Sequence, residues 1–481
     1  MLCYNKWSIK FFKIKSKEKV TIMENKLSKK MWFGICLFSF MGGIAWNIEN
    51  MYFNTFLYNS VYAGASSAAM AGTMAPTTAI SRMVALSAIA AVVSTFIMGT
   101  LSDKMKNRKL FISAGYLLWG LVTGAFGFIT RDNTAALLNL SDEAKILGAT
   151  VWVVILMDIV MTFMGSASND AAFNAWVTDV TNTKIRPTVE TVLTFVGFLS
   201  MAAVMGVGSL AQSGAVSYQN FFLVLGLIVS LCGVLGFFII DNPKQISAEN
   251  EVSSSYWADL FYGFRPSVIK ENSRLYLTLS ALGCFSVAFQ VFFPYLLVYL
   301  QYVVIPDNTK DGAELLSTGT IVVAVIAVAA LVAGIVLLLK IAGKSKGMGI
   351  SVGVALMTVG LFILSTTTNI KAVLIGVAPT AIGYVVLGIL FNASVKDFIP
   401  VGKAGLFQGI RMIFFVLIPM VLGPAIGDIA CRSSMITYIN EYGVETIVPA
   451  KSMFLYAAIV SLLTFVPLFF LIKKGFKVEE E

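Results

Sequence analysis

Long apolar segments separated by short polar ones follow one another along the 481-residue chain. Twelve of them are long enough to cross a bilayer, which takes roughly 20 residues of helix. Because their apolar residues are not confined to one face, most of their surroundings should be lipid. The pattern predicts an all-α membrane protein with twelve transmembrane helices near residues 31–57, 79–101, 110–130, 147–168, 188–212, 219–240, 276–304, 317–340, 347–366, 371–393, 405–428 and 449–472.

A repeated motif divides these segments into two halves. The pattern FNAxVxD ends the fourth segment as Phe173–Asp179 and returns 218 residues later as Phe391–Asp397. A weaker repeat pairs Ile112–Gly115 with Ile350–Gly353. Because its separation in the chain differs from that of the motif, the loop around 131–146 must be longer than its counterpart in the second half. Two six-helix bundles related by pseudo-symmetry are therefore expected, an arrangement that many secondary transporters share.

Composition and charge agree with a membrane location. Hydrophobic residues make up 57% of the chain and charged ones 13%. With the N-terminus inside, 27 of the 35 Lys and Arg residues fall in cytoplasmic segments and seven outside. The positive-inside rule therefore predicts cytoplasmic termini in a multi-pass protein of the inner or plasma membrane. The net charge of +9 is a topology signal and does not indicate nucleic-acid binding.

The same pattern predicts the domain organisation. The chain should comprise a basic cytoplasmic tail (residues 1–30), a six-helix bundle (31–240), a cytoplasmic linker (241–275), a second six-helix bundle (276–472) and a short cytoplasmic tail (473–481). We expect a short interfacial helix around Trp257–Phe264 within the linker. Met23 is a more natural start of translation than Met1, so we expect that the gene model begins too early and that residues 1–22 are absent from the native protein.

Several kinds of chemistry are not expected. The chain has no histidine, which excludes a His proton relay, a His-ligated zinc and a Ser-His-Asp triad. Its five cysteines show neither CxxC spacing nor a disulfide pattern. No catalytic motif or phosphate loop is present, so we predict no enzyme activity, no metal and no cofactor.

The first helix carries polar residues inside a hydrophobic run. Asn47, Asn50 and Asn54 share one face at i, i+3, i+7 spacing. An ionised Glu49 facing lipid would cost a few kcal/mol or more, so it should face the bundle interior or an aqueous cavity. Cavity lining and simple packing between helices both remain open for these side chains.

The fourth helix has the densest polar content. Asp170 and Asn174 share a face at i, i+4, and Asp158 and Asn169 share another about 20° apart at 100° per residue. A buried carboxylate at position 170 needs a cation, a proton or an arginine. For Asp170, ion coupling and a structural ion pair are equally open.

Other polar residues are candidates for structure, gating or binding. Asp179 and Asp397, which end the two copies of the motif, suit a structural or gating role at the cytoplasmic ends of their helices. In the second half, Gln290, Gln408 and Arg411 lie in apolar runs. Arg411 either extends its side chain to the interface or pairs with a carboxylate of the first half.

The residues after the second helix, GTLSDKMKNRK from Gly99 to Lys109, resemble the GxLxDxxxxRK loop of the major facilitator superfamily. This resemblance implies a structural or gating role for Asp103 and Arg108. Together with the two halves and the run from Asp397 to Arg411, it makes the chain similar to the glycoside–pentoside–hexuronide:cation symporters. The sucrose:proton symporter branch is a close second.

The resemblance implies a twelve-helix major facilitator fold, a central cavity between two bundles and alternating access. It places the cation and sugar aspartate of the family on Asp170. The basic residues of its fifth and eleventh helices fall on Glu190 and Gln408, so neither charge is kept. Two sodium-binding aspartates of its second helix fall near Ala91 and Thr95, which makes a proton the preferred coupling ion.

The sequence thus predicts a secondary active transporter for a sugar or glycoside, coupled to a proton or, less favoured, sodium. We expect it to act as a monomer in the bilayer. Glu49 and Asp170 would bind the ion, and the solute would meet polar and aromatic side chains, namely Trp46, Asn47, Asn50, Asn174, Glu190, Gln290, Gln408 and Arg411. Export of an amphipathic drug or lipid and a non-transporting membrane solute sensor are the alternatives.

Overall fold

The structure is a computed structural model, and it describes most of the chain. The described residues are 27–105, 107–181, 185–242, 264–309, 317–399, 407, 410–439 and 445–476. Within these ranges, side chains are not described for Thr100, Asp103, Lys104, Arg186, Pro187 and Glu190. The expectations for residues 1–22, for residues 257–263 of the interfacial helix and for Gln408 therefore lie outside the described part.

Twelve helices in the described part are long and apolar enough to cross a membrane, which confirms the predicted fold class. We number them span 1 to span 12 in chain order. Their bounds are Lys29–Val61, Pro76–Gly99, Arg108–Phe128, Glu143–Val180, Thr191–Gln212, Tyr218–Ile239, Ser273–Thr309, Thr318–Lys344, Lys346–Thr366, Ile370–Phe398, Ile410–Ser434 and Ser452–Lys474.

Seven of the spans begin where the sequence supplies an N-cap. A hydroxyl, amide or carboxylate oxygen before the first helical turn accepts a hydrogen bond from a backbone N–H that has no partner within the helix. In this way short polar residues fix where several apolar helices start. These caps are Ser28, Asn107, Asp142, Ser217, Ser317, Ser345 and Asn369.

Four spans depart from regular α-helix. Their π-helical turns, with i→i+5 hydrogen bonds, place more residues in each turn and shift the faces of the helix. Span 4 changes from α-helix at Gly165 to π-helix over Ser166–Phe173. The other π-helical segments lie in spans 1, 7 and 11, at Ile48–Tyr52, Leu57–Val61, Leu300–Val304 and Ile413–Leu417.

Short elements connect the spans. The longer loop between spans 3 and 4 contains the helix Arg131–Leu138, as its predicted length requires, whereas three residues join spans 9 and 10. Strands β1 (Thr437–Ile439) and β2 (Glu445–Ile447) form an antiparallel hairpin between spans 11 and 12. Two further short helices are Ser67–Ala71 and Pro266–Glu271.

Glycines allow close packing of different helix pairs in the two halves. In the first half, an added Cβ at Gly120 of span 3 or Gly226 of span 6 would collide with the backbone of the other span. In the second half, the same holds between Gly360 of span 9 and the backbone of span 10 at Gly376. Small residues permit such approach in membranes, where apolar side chains gain little by leaving lipid.

The two halves meet at the end of the bundle where span 1 finishes and span 2 begins. Asn54 Nδ2 donates to the carbonyl of Pro294 at 2.8 Å, and Asn59 bonds to Gln301 and Tyr302. We call this contact region the seam. It also contains the bonds from Thr78 Oγ1 to Asp428 and from Tyr58 Oη to the Ile447 carbonyl.

Candidate functional site

Four polar side chains follow one another along span 4 at intervals of four residues. They lie at positions where the side chains of successive turns are neighbours. Ser166 Oγ donates to Asp170 Oδ2 at 2.9 Å, across the start of the π-helical segment. We call the set the polar stripe, and its members are Asp158, Thr162, Ser166 and Asp170.

Glu49 of span 1 reaches this stripe. Thr162 Oγ1 donates to Glu49 Oε1 at 2.8 Å, and the glutamate is 6% exposed. Glu49 thus faces the bundle interior, as its burial cost predicts. The structure joins the two predicted coupling residues, since Thr162 and Ser166 lie between Glu49 and Asp170 on consecutive turns. In the described part of the chain, neither carboxyl has a basic partner.

The asparagines of span 1 are held by their own helix. Asn47 Nδ2 donates to the Gly43 carbonyl at 2.6 Å, and Asn50 Nδ2 donates to the Trp46 carbonyl at 2.7 Å. Both side chains are half-buried. Because these bonds use only the amide N–H groups, each side-chain carbonyl can still accept a hydrogen bond from another group.

A polar network joins spans 1, 3 and 4 next to the stripe. Trp46 Nε1 donates to Asn169 Oδ1 at 3.4 Å, and Asn169 Nδ2 donates to Tyr116 Oη at 2.6 Å. Trp46 also packs edge-on against Trp119, with ring centroids 5.0 Å apart. Sequence reasoning did not include Asn169, Tyr116 or Trp119 in the site. The polar content of span 4 was the available signal for Asn169.

Asn174 and the second-half candidates lie apart from this network. Asn174 is exposed and donates to the Asp170 carbonyl at 3.3 Å. Arg411 donates to Asn392 Oδ1 at 2.6 Å, and its guanidinium lies 5.0 Å from the centre of the Phe415 ring. The asparagine of the second motif copy is thus one partner of Arg411. Gln290 packs against Gly423 of span 11.

The residues assigned to structure or gating form ion pairs within their own halves. Arg108 Nε lies 3.2 Å from Asp179 Oδ2, and Arg108 Nη1 donates to Ser102 at 2.6 Å. Lys346 pairs with Asp397 in the second half. Each aspartate of the motif therefore meets the basic residue that begins the preceding span, Arg108 of span 3 or Lys346 of span 9. The side chains of Asp103 and Glu190 lie outside the described part.

A cavity of about 750 Å³ opens at the seam end of the bundle. Both halves line it, with Thr78, Arg82, Lys145 and Trp152 from the first and Arg432 from the second. Those predicted solute and ion residues whose side chains the structure describes do not line it. Within the described ranges, no group of three or more acidic or cysteine side chains could hold a metal ion.

Comparisons with known proteins agree with this architecture. A mutant of the nucleoside transporter NupG has a similar crystal structure, with a TM-score of 0.61 at 12% identity, covering 92% of this chain and 99% of that one. A bacterial homologue of the human lysosomal transporter Spinster, in an inward-facing and unoccupied conformation, gives 0.56 at 12% identity, covering 94% and 97%. At this identity the likeness shows the fold alone.

No curated protein sequence matches the chain. Residues 39–424 match the family model of the Major Facilitator Superfamily, and this match includes spans 2 to 10 completely and most of spans 1 and 11. The twelve apolar helices and the match together make this a multi-pass membrane transporter. The chain belongs to the Major Facilitator Superfamily.

Proposed function

We propose that this transporter moves a sugar or glycoside by alternating access and couples the movement to a cation, a proton in preference to sodium. The observation that carries the proposal is a pair of hydrogen bonds on consecutive turns of span 4, from Thr162 to Glu49 and from Ser166 to Asp170. Carboxyls within membrane-spanning helices are costly and are typical of ion pathways. Binding a proton neutralises a carboxyl and lowers the cost of moving the helices that carry it.

The residues around the stripe support a hydroxyl-rich solute. Trp46 offers an aromatic face, and the side-chain carbonyls of Asn47 and Asn50 can accept hydrogen bonds. Such a combination suits sugar rings, which present an apolar face and a rim of hydroxyl groups. We propose Asn174, Gln290 and Arg411, with the predicted positions Glu190 and Gln408, as the remaining solute-binding residues.

Span 2 supports the choice of a proton. Ala91 and Thr95 stand where the glycoside–pentoside–hexuronide:cation symporters have sodium-binding aspartates. Ala91 is buried, and Thr95 Oγ1 is a buried atom without a hydrogen-bond partner. A sodium ion prefers several oxygen ligands, preferably charged ones, and these two positions supply no carboxylate. The proposed branch is therefore a proton-coupled relative of those symporters.

The seam supports alternating access. With both termini in the cytoplasm, as the distribution of Lys and Arg predicts, the seam lies at the outer end of the bundle. The described conformation would then be closed to the outside. Movement of the halves about a central site would break the contacts of Asn54, Asn59 and Thr78 and open the outer side.

Solute uptake into proteoliposomes tests the function. The panel contains sugars, glycosides and nucleosides, which are N-glycosides, and each compound is offered under an imposed pH gradient and an imposed sodium gradient separately. We expect accumulation of one class under the pH gradient alone. Accumulation only under the sodium gradient would contradict the proton, and no accumulation of any compound would contradict the coupled import.

Export of an amphipathic drug or lipid is the second candidate. Glu190 and Gln408 favour it, because both stand where the sugar symporters have basic residues. The direction of flux separates the two candidates. Inside-out vesicles that accumulate a fluorescent amphiphile on energisation, and do not release a preloaded sugar, would support export.

A further inference from the structure

Asp158 of span 4 has no role in the mechanism proposed so far. It is 2% exposed, and its Oδ2 accepts a hydrogen bond from Ser87 of span 2. Its Oδ1 is a buried atom with no hydrogen-bond partner. A buried acceptor left without a donor is costly, and a carboxylate oxygen more so than a neutral one.

Glu49 of span 1 also has one hydrogen-bonded and one unpartnered carboxyl oxygen. Its Oε1 accepts from Thr162, whereas its Oε2 is buried and has no hydrogen-bond partner. Thr162 follows Asp158 by one turn of the same helix, so the threonine brings Glu49 beside Asp158. Both carboxyls therefore lie against neighbouring turns of span 4, and two ionised carboxylates placed in this way repel each other.

The surrounding helices supply little to neutralise this pair. Asp170, further along span 4, is another acid that acts on Glu49. Tyr116 of span 3 bonds to the Phe38 carbonyl and to Asn169. On the helices that carry the pair's hydrogen-bond partners, Arg82 of span 2 and Lys145 of span 4 are exposed and line the cavity at the seam end. Cys232 of span 6 and Cys36 of span 1 are neutral thiols in their ordinary state.

We propose that Glu49 and Asp158 form a two-carboxyl site that binds one proton between spans 1 and 4. The proposal rests on the proposed function, which it deepens by naming Asp158 as the second proton ligand. One proton between Glu49 Oε2 and Asp158 Oδ1 gives both unpartnered oxygens a hydrogen bond and removes one of two like charges. Binding forms one O–H bond on a carboxyl, and release breaks it.

The polar stripe lies between this site and the half-buried Asp170. Thr162 donates to Glu49 and Ser166 donates to Asp170, on consecutive turns of span 4. A proton that enters at Asp170 would therefore meet two hydroxyl groups on its way to the pair, and each of them can accept a hydrogen bond as well as donate one. Ser87 donates to Asp158 Oδ2 and Thr162 to Glu49 Oε1, which leaves Asp158 Oδ1 and Glu49 Oε2 for the shared proton.

Infrared spectroscopy of the purified protein tests the site without any solute. The absorption of protonated carboxyl groups is followed as the pH is stepped in wild type, in Glu49→Gln, in Asp158→Asn and in the double variant. Each single variant removes the like charge that the other carboxyl faces. We expect the band of the remaining carboxyl to titrate about one pH unit or more lower than in wild type, and the double variant to lose only the component that the pair contributes, since Asp170 keeps its own.

Asp179→Asn is the matched control, since Asp179 lies on the same span but pairs with Arg108. It should leave the band and its midpoint unchanged. Ser87→Ala and Thr162→Val keep both carboxyls and remove one donor each, so they should move the midpoint to higher pH. They serve as the test if the carboxyl variants do not fold.

Three results would overturn the shared proton. These are single variants whose remaining carboxyl titrates as in wild type, a double variant whose band equals that of wild type, and a band component of the pair that sodium removes at constant pH. Failure of uptake in proteoliposomes with an intact, coupled titration would instead contradict the proposed solute or direction. The two failures are therefore distinguishable.

Discussion

The two copies of the FNAxVxD motif show how the halves differ. In the first, Asp179 meets an arginine that is buried, with 7% of the Arg108 side chain exposed, and Ser102 adds a second contact. In the second, the equivalent pair of Asp397 and Lys346 is 43% and 37% exposed. The duplication has kept the position of the ion pair but not its environment, so the first pair should stabilise its half more strongly.

The two halves differ more strongly in the acidic residues of their corresponding spans 4 and 10. Span 4 carries Asp158 and Asp170 before its motif, whereas span 10 carries no acidic residue before Asp397. In the register of the repeat, Gly388 stands where the first half has Asp170, and an added Cβ there would meet no atom within 4 Å. The scaffold is thus duplicated, but the carboxyls that we propose for ion coupling in span 4 have no acidic counterpart in span 10.

The largest expected effect comes from removing the half-buried carboxyl of the first half. Asp170→Asn should reduce gradient-driven accumulation in proteoliposomes to the passive background, because the amide can neither bind nor release the proton. Asp397→Asn, the matched change in the second half, should retain accumulation. Normal accumulation in Asp170→Asn, with both variants folded in detergent, would contradict the assignment of coupling to the first half.

The next effect concerns stability. Asp179→Asn weakens a hydrogen bond to the buried Arg108 and should cost about 1.5–3 kcal/mol, the range for bonds to charged groups. The midpoint of chemical unfolding in detergent measures it. A cost indistinguishable from zero would show that the other contacts of the arginine, among them the bond to Ser102, satisfy it.

Breaking the equivalent pair of the second half should cost less. Asp397→Asn removes an exposed ion pair and should change the free energy of unfolding by about 0.2–1 kcal/mol, with a further decrease in this difference at high salt. The same unfolding assay checks it. A cost equal to that of Asp179→Asn would contradict the comparison between a buried and an exposed pair.

The smallest expected effect is no recovery of uptake when a carboxyl is added to the second half. Adding Gly388→Asp to Asp170→Asn places a carboxyl at the corresponding register of span 10, in open space. Uptake should stay at the background, because Tyr384 stands one turn before it where the first half has Ser166. Recovered accumulation would show that the position within the repeat matters and that the polar stripe does not.

Much of the fold could be predicted from the sequence. Spans are predicted well because hydropathy over roughly 20 residues depends on the solvent and not on neighbours. The repeat also located the two aspartates whose partners, Arg108 and Lys346, occupy equivalent starts of spans 3 and 9. These contacts follow from the duplicated scaffold.

The internal contacts of the site could not be predicted in the same way. Ser87 lies 71 residues from Asp158, and Thr162 lies 113 residues from Glu49, so no periodicity relates them. The regular spacing of 100° per residue placed Asp158 and Asn169 on one face. The π-helical turn after Gly165 changes that register, and the two side chains contact different helices, Asn169 bonding to spans 1 and 3.

The seam has a consequence for how the transporter responds to its medium. The bonds from Asn54, Asn59, Tyr58 and Thr78 each join at least one neutral group, so opening them separates no pair of opposite charges. The neutral bonds are worth about 1 kcal/mol each and the bond to the Asp428 carboxylate about 1.5–3 kcal/mol, and water can replace them. Salt screens charges over about 10 Å at 0.1 M, so ionic strength should have little effect on the stability of the closed seam. Solutes that compete for hydrogen bonds should weaken it.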